Sequence, residues 1–345
     1  MRMTMRWFGP SDKVPLAYIR QVPGVVGIVS ALYDIPVGEV WPLDQLRRLQ
    51  AEITATGLTL EVIESIPVHE AIKLGLPERD QYIENYCQNI RYMGQLGISV
   101  LCYNLMPIFD WMRTDLAMQL PDGSSTFAYD HEAVLKYDLS QGMPHLPVWA
   151  NHFTPAEFHG IYRQYEALGE EGLFQNCAYF LRAVVPVAAE AGVFLALHPD
   201  DPPWSIFGLP RIVRDMPTIQ RLLDVVDHAN NGLTFCTGSL GSAADNPLPE
   251  MVKAFAGRIH FVHMRNVKLT GDKDFHEVPH PSAFGNVDMY AVMAALVESG
   301  YDRPIRSDHG RMIWGETGRP AYGLYDRALG IAYLNGLYEG VYRNR

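Results

Sequence analysis

The chain has 345 residues, 48% of them hydrophobic and 19% charged, a globular balance with ample material for one large core. Lys and Arg total 28 against 39 Asp and Glu, a net charge of −11. That surface opposes non-specific binding to nucleic acid or an anionic membrane, because the attraction to phosphate is missing.

In chain order the predicted elements are strand Thr4–Phe8, strand Val25–Leu32, helix Pro42–Thr56, strand Thr59–Glu64, helix Glu78–Leu96, strand Ser99–Leu105, helix Leu173–Ala191, strand Val193–His198, helix Thr218–Val226, strand Leu233–Thr237, helix Pro249–Phe255, strand Ile259–Met264, helix Val287–Ser299, strand Pro304–Asp308 and helix Leu324–Glu339. The strands are apolar runs rich in β-branched residues. Helix starts are marked by Pro42 in WPLDQL and by Asn286 as a cap for NVDMYAVM. Gly57, Gly97, Gly192, Gly232 and Gly300 each stand just before a strand, where a helix end favours a left-handed residue. Helix, glycine, strand, repeated, is the pattern of a parallel sheet.

Eight such units predict a closed (β/α)8 TIM barrel with long βα-loop insertions, occupying residues 1–345 as a single catalytic domain. The longest insertion, about 106–172 after the fourth strand, is rich in aromatics and Pro (MPIFDWMRTD, GMPHLPVWANHFTP) and is expected to cover a pocket. No GxGxxG follows any strand, so no nucleotide cofactor is expected. The start, MRMTMRWFGP, has no long apolar stretch, and the most apolar region, Leu181 to Leu197, is broken by Arg182, Pro186 and Glu190. Neither a leader nor a membrane span is expected. Cys87, Cys102, Cys177 and Cys236 form no CxxC pair, which fits free thiols in a reducing cytoplasm.

Four phrases carry the chemistry: LALHPDD, LTFCTGS, FVHMRN and IRSDHGR. Each ends an apolar strand on a metal-binding residue type, namely His198, Cys236, His263 and Asp308, spaced 38, 27 and 45 residues apart. Side-chain alternation makes each the last inward-facing residue of its strand. Taken singly, each has an ordinary reading: a hydrogen-bonded core histidine, a small buried cysteine, a capping aspartate. Four consecutive strands ending this way point instead to one metal site at the barrel rim. Thiolate suits Zn²⁺ or Fe²⁺, and carboxylate suits Mn²⁺ or Mg²⁺. Arg6, Arg265 and Arg311 lie near strand ends and are candidates for binding a substrate carboxylate. His69, His276 and His280 are weaker loop candidates.

These phrases, with MRWFGPSD, IPVGEVW, ESIPVHEAIKLG, CYNLMPIFDW, SDHGRMIWGE and GRPAYGLYDRALGIAYLNGL, resemble the mannonate dehydratases of the xylose-isomerase-like barrel superfamily over nearly the whole chain. The resemblance implies a hydro-lyase that converts D-mannonate to 2-keto-3-deoxy-D-gluconate in hexuronate catabolism with Mn²⁺ or Fe²⁺. It carries the metal ligands onto His198, Cys236, His263 and Asp308, and the acid/base residues onto His309 and either Tyr322 or Tyr325. The metal and Arg311 are expected to lower the pKa of that tyrosine. The expected partners are the sugar acid and a second copy of the chain in a homo-oligomer, a dimer being favoured, with no nucleic acid or membrane. The alternatives are a metal-dependent sugar isomerase or epimerase on the same barrel, and a non-catalytic sugar-acid-binding protein.

Overall fold

The computed structural model describes residues 1–137, 148–150 and 154–344. The chain begins with β1 (Arg2–Arg6), α1 (Leu16–Ile19), β2 (Val25–Ser30), α2 (Leu43–Thr54), β3 (Thr59–Glu64), α3 (Glu70–Leu74), α4 (Arg79–Gln95) and β4 (Val100–Tyr103). An excursion follows through β5 (Phe109–Met112), β6 (Asp115–Gln119), β7 (Ser125–Tyr129), α5 (His131–Leu135) and β8 (Val148–Ala150). The long α6 (Pro155–Ala191) returns the chain to β9 (Phe194–Leu197), α7 (Met216–Leu223), β10 (Asn231–Cys236), α8 (Thr237–Gly241), α9 (Leu248–Ala254) and β11 (Ile259–His263). A second excursion, β12 (Asn266–Gly271) and β13 (Asp274–Val278), precedes α10 (Met289–Glu298), β14 (Pro304–Arg306) and α11 (Tyr325–Arg343).

Strands β1, β2, β3, β4, β9, β10, β11 and β14 pair in parallel in that cyclic order and close a barrel. This is the (β/α)8 architecture expected from the alternation of strand and helix. Inside it, Val29, Val62, Val100, Cys102, Ala196 and Phe261 form a buried cluster separate from the main core. Counting two residues onward from this plug gives Glu64, His198 and His263, which therefore share the interior face one layer nearer the strands' C-terminal ends.

Differences from the expected elements have local causes. Helix α6 starts at a capping box, Thr154 with Glu157 and Pro155, well before residue 173, and bends at Gly169 (φ 65°). The described part of the first excursion forms antiparallel pairs: β6 turns into β7 through residues 120–124, and β7 pairs with β13. Parts of the predicted insertion, 138–147 and 151–153, lie outside the described residues. Gly192 takes a left-handed φ of 69° as the helix stop expected of it. Gly232 lies inside β10 instead, where a Cβ would meet Arg258 O at 2.2 Å and the His260 ring at 2.3 Å. Its requirement is close approach to β11, not positive φ. The cap of α10 is Asp288, whose side chain accepts from Ala291 N at 3.0 Å. Asn286 accepts from Leu269 N instead.

Candidate active site at the C-terminal rim

The ends of β9, β10, β11 and β14 bring His198, Cys236, His263 and Asp308 together. His198 Nδ1 lies 2.7 Å from the carbonyl oxygen of Pro199. A carbonyl only accepts, so Nδ1 carries the proton and the Nε2 lone pair points inward. Burial lowers the His198 pKa, which keeps the imidazole neutral. His263 Nε2 faces Glu64 Oε2 at 3.6 Å, which leaves Nδ1 turned towards His198 Nε2 at 3.3 Å and Asp308 Oδ1 at 3.7 Å. Cys236 Sγ is 3.9 Å from Asp308 Oδ2 and accepts from Ser239 N and Ser239 Oγ. Ligand atoms of His198, Cys236 and His263 all lie within 4.8 Å of one another. Two imidazole lone pairs and a sulfur aimed at one point want a cation between them, so these residues fit a divalent metal.

Asp308 holds a left-handed φ of 63°, an uncommon conformation for a residue with a Cβ and one that recurs at functional sites. Burial alone would raise its pKa, but Arg306, His309, His263 and Arg265 outweigh that and hold it well below the usual carboxylate range. Arg306 Nη2 lies 2.8 Å from Asp308 Oδ1 and Arg265 Nη1 lies 3.2 Å from Oδ2. Glu64 is likewise held low against burial by Arg306 and Arg6, at 2.8 and 3.2 Å.

Beside this cluster stands a second group. His309 Nδ1 lies 2.9 Å from both oxygens of Glu277, which β13 brings in. Burial works to raise the Glu277 pKa, but His309 and Arg265 lower it. Arg265 Nη1 also lies 3.1 Å from Nδ1, but the carboxylate is the closer partner and is ionised, so it accepts and Nδ1 donates. Nε2 is then an acceptor for the Tyr322 hydroxyl at 2.9 Å. Burial raises the Tyr322 pKa more than Arg6 and Arg306 lower it, so the phenol stays protonated and donates. Arg113 bridges Glu277 (2.8 Å) and Asp201 (2.8 Å), and Arg265 reaches Asp201 at 2.6 Å. A cavity of about 220 Å³ opens over both groups, with Trp111 and Phe127 of the first excursion in its wall.

The whole chain, residues 1–345, matches the family model described as D-mannonate dehydratase (UxuA). The chain belongs to the D-mannonate dehydratase family. Mannonate dehydratase 2 of Halalkalibacterium halodurans is 52% identical over 343 residues, 99% of each chain. The mannonate dehydratase of Thermotoga petrophila is 52% identical over 354 residues, 99% of this chain and 98% of its own. The crystal structure of the mannonate dehydratase from Streptococcus suis serotype2 superposes with a TM-score of 0.93 at 45% identity, covering 100% of this chain and 95% of that one. A structure of L-ribulose 3-epimerase, with a TM-score of 0.57 at 15% identity, shares the fold.

Within this member of the mannonate dehydratase family, the residues expected from the sequence do not all meet. His198, Cys236, His263, Asp308, His309, Tyr322, Arg6 and Arg265 converge. Tyr325 does not: it begins α11, is 43% exposed and packs on Trp314. Arg311 also lies outside the cavity lining, held by Asp326 at 3.0 Å and Asp122 at 2.8 Å. It cannot tune Tyr322; Arg6 and Arg306 are the cations that face that phenol. Arg265 is tied up by Asp201 and Asp308 rather than open to a substrate. His69 caps α3 and stacks on Tyr82. His280 is tied to Ser307 O at 2.7 Å, and His276 lies on β13 away from the cavity.

Sequence reading missed Glu64, Arg306 and Glu277. Counting by two from Thr4 to Arg6 and from Val62 to Glu64 would have placed a charged interior layer. Glu277 carried no such signal, because it belongs to an excursion whose turn, GDKD at 271–274, lacks an Asn-Gly or Asp-Gly pair.

Proposed function

We propose that this chain removes water from D-mannonate to give 2-keto-3-deoxy-D-gluconate, with residues 1–345 acting as one catalytic unit. The observation that carries the reading is the cluster of His198, Cys236 and His263, with Asp308 against the last two, beside a Glu277–His309–Tyr322 hydrogen-bond chain, in a member of the D-mannonate dehydratase family. His198, Cys236, His263 and Asp308 would hold a divalent ion, Mn²⁺ or Fe²⁺. Bound there, the ion supplies stabilisation for negative charge that develops on the substrate carboxylate as C2 loses its proton.

The protein's own groups move the protons. The elimination takes one proton from C2 and delivers one to the departing C3 hydroxyl, which leaves as water. His309 and Tyr322 are the paired acid and base, since they share one proton across 2.9 Å. After each turnover, passage of a proton along that bond resets the pair. Glu277 holds the tautomer of His309 and stabilises its charged form. Trp111 and Phe127 pack edge-on to the His309 ring, with centroids 6.1 and 5.4 Å away, and keep water from that side. Asp201, Arg113 and Arg265 brace Glu277 and Asp308 from below.

Buried free thiols among Cys87, Cys102, Cys177 and Cys236 support a reducing cytoplasmic setting, and among the described residues no helix is long and apolar enough to cross a membrane. The proposed working form is a homo-oligomer, a dimer first. The deciding experiment incubates protein loaded with Mn²⁺ or Fe²⁺ with D-mannonate and follows the keto acid. Formation of the 2-keto-3-deoxy acid that stops on chelation is the expected result; intact mannonate with either ion would sink the reading.

A further inference from the structure

We infer that Arg306 recognises the carboxylate of the substrate and so sets the preference for sugar acids over neutral sugars. Arg306 ends β14 on the interior face, is 2% exposed and lines the cavity. One of its nitrogens is fully used: Nη2 meets Glu64 Oε1 and Asp308 Oδ1, each at 2.8 Å. Its Nη1 and Nε have no hydrogen-bond partner among the described residues. A buried cationic donor left unpaired is costly, so a partner is to be expected from what enters the cavity. An oxyanion meets that need better than a hydroxyl, because a hydrogen bond charged on both sides is roughly twice as strong as a neutral one.

The other guanidinium groups at the rim are placed differently. Arg265 and Arg113 have their terminal nitrogens committed to Asp201 and Glu277, leaving only Nε without a partner among the described residues, and Arg6 lies against Glu64. The Nε of Arg265 faces Gly238, so closely that a Cβ there would come within 1.8 Å of it. Arg306 also touches Asp308, so a carboxylate it holds lies beside the ligand cluster, where C2 deprotonation needs charge stabilised. The inference rests on the dehydratase reading for which acid is bound, and on the orphaned donors for the claim that an acid is bound at all.

The test uses Mn²⁺-loaded protein and two ligands that cannot lose water at C3: the 3-deoxy analogue of D-mannonate and its neutral amide. Calorimetry gives the acid-to-amide affinity ratio for wild type and for Arg306→Lys and Arg306→Gln, made in parallel. Lys keeps a cation for Glu64 and Asp308 but loses the Nη1 and Nε donors. The expected ratio is roughly 10- to 100-fold in wild type, falling to about 3-fold or less in whichever variant folds. A general loosening of the site weakens both ligands and leaves the ratio unmoved. A wild-type ratio near one overturns the inference without any variant, as does a ratio unchanged in Arg306→Lys. Wild-type protein that leaves D-mannonate intact but keeps an Arg306-dependent acid preference defeats the dehydratase reading alone.

Discussion

The carboxylate of Glu277 meets Nδ1 of His309 at 2.9 Å through both oxygens, although the two residues are 32 apart in the chain and follow different barrel strands. This contact decides the tautomer of His309 and points its other nitrogen at Tyr322. Glu277→Gln replaces one acceptor oxygen with a donor and removes the charge that stabilises an imidazolium. Turnover should fall about 10- to 100-fold, the range for losing a partner that orients a functional group. Metal content should stay within error, which separates this effect from collapse of the ligand cluster. Steady-state kinetics with metal analysis on the same preparation check both.

Tyr322 and Tyr325 are close neighbours in the chain, yet only Tyr322 reaches His309. Tyr322→Phe should reduce kcat at least about a hundredfold, the contribution typical of a positioned acid or base. Tyr325→Phe should stay close to the parent, because its ring lies outside the cavity against Trp314. Equal losses from both substitutions would remove Tyr322 from its role.

Metal binding should depend on the sulfur and imidazole ligands separately. Cys236→Ser and His263→Ala are each expected to lower the stoichiometry of bound Mn²⁺ or Fe²⁺ below roughly half of wild type at matched free metal. Dialysis against a chelator should abolish turnover, and re-addition should restore it. Unchanged stoichiometry in both variants would show the ion to be held elsewhere.

His260 supplies a pH test of stability away from the chemistry. It is fully buried on β11, and burial, helped by Arg303, lowers its pKa to about 3. The unfolded chain, with a His pKa of about 6.5, therefore takes up a proton that the folded chain refuses. The stabilisation is complete above that unfolded value and is lost as pH falls towards about 3. Between about pH 7 and pH 5 this residue should cost about 2 kcal/mol of stability. Urea unfolding of His260→Phe at both pH values should show a smaller drop than wild type by about that amount.

Much of the site was legible in the chain itself. The strands ending at His198, Cys236 and His263 show the interior alternation that placed those side chains at the rim, and Ala196 and Phe261 do lie in the barrel plug beneath them. Burial of a parallel strand imposes a local hydrophobic signature, and a period of two then assigns the face. Helix α6 was half legible: Gly169 and Gly172 masked the capping box that starts it at Thr154.

Charge pairing was not legible, because it has no local period. Arg265, Arg306 and Arg311 look alike in the sequence, each near a strand end. Only the closed barrel shows that Arg265 is neutralised by Asp201, that Arg311 is held by Asp122 and Asp326, and that Arg306, in the cavity lining, has two buried donors without a partner among the described residues. The barrel and the candidate ligand types are legible locally, since strand burial and residue chemistry act over a few positions. Tertiary structure alone decided which tyrosine, which arginine and which carboxylate act together, because those pairings form between strands and excursions far apart in the chain.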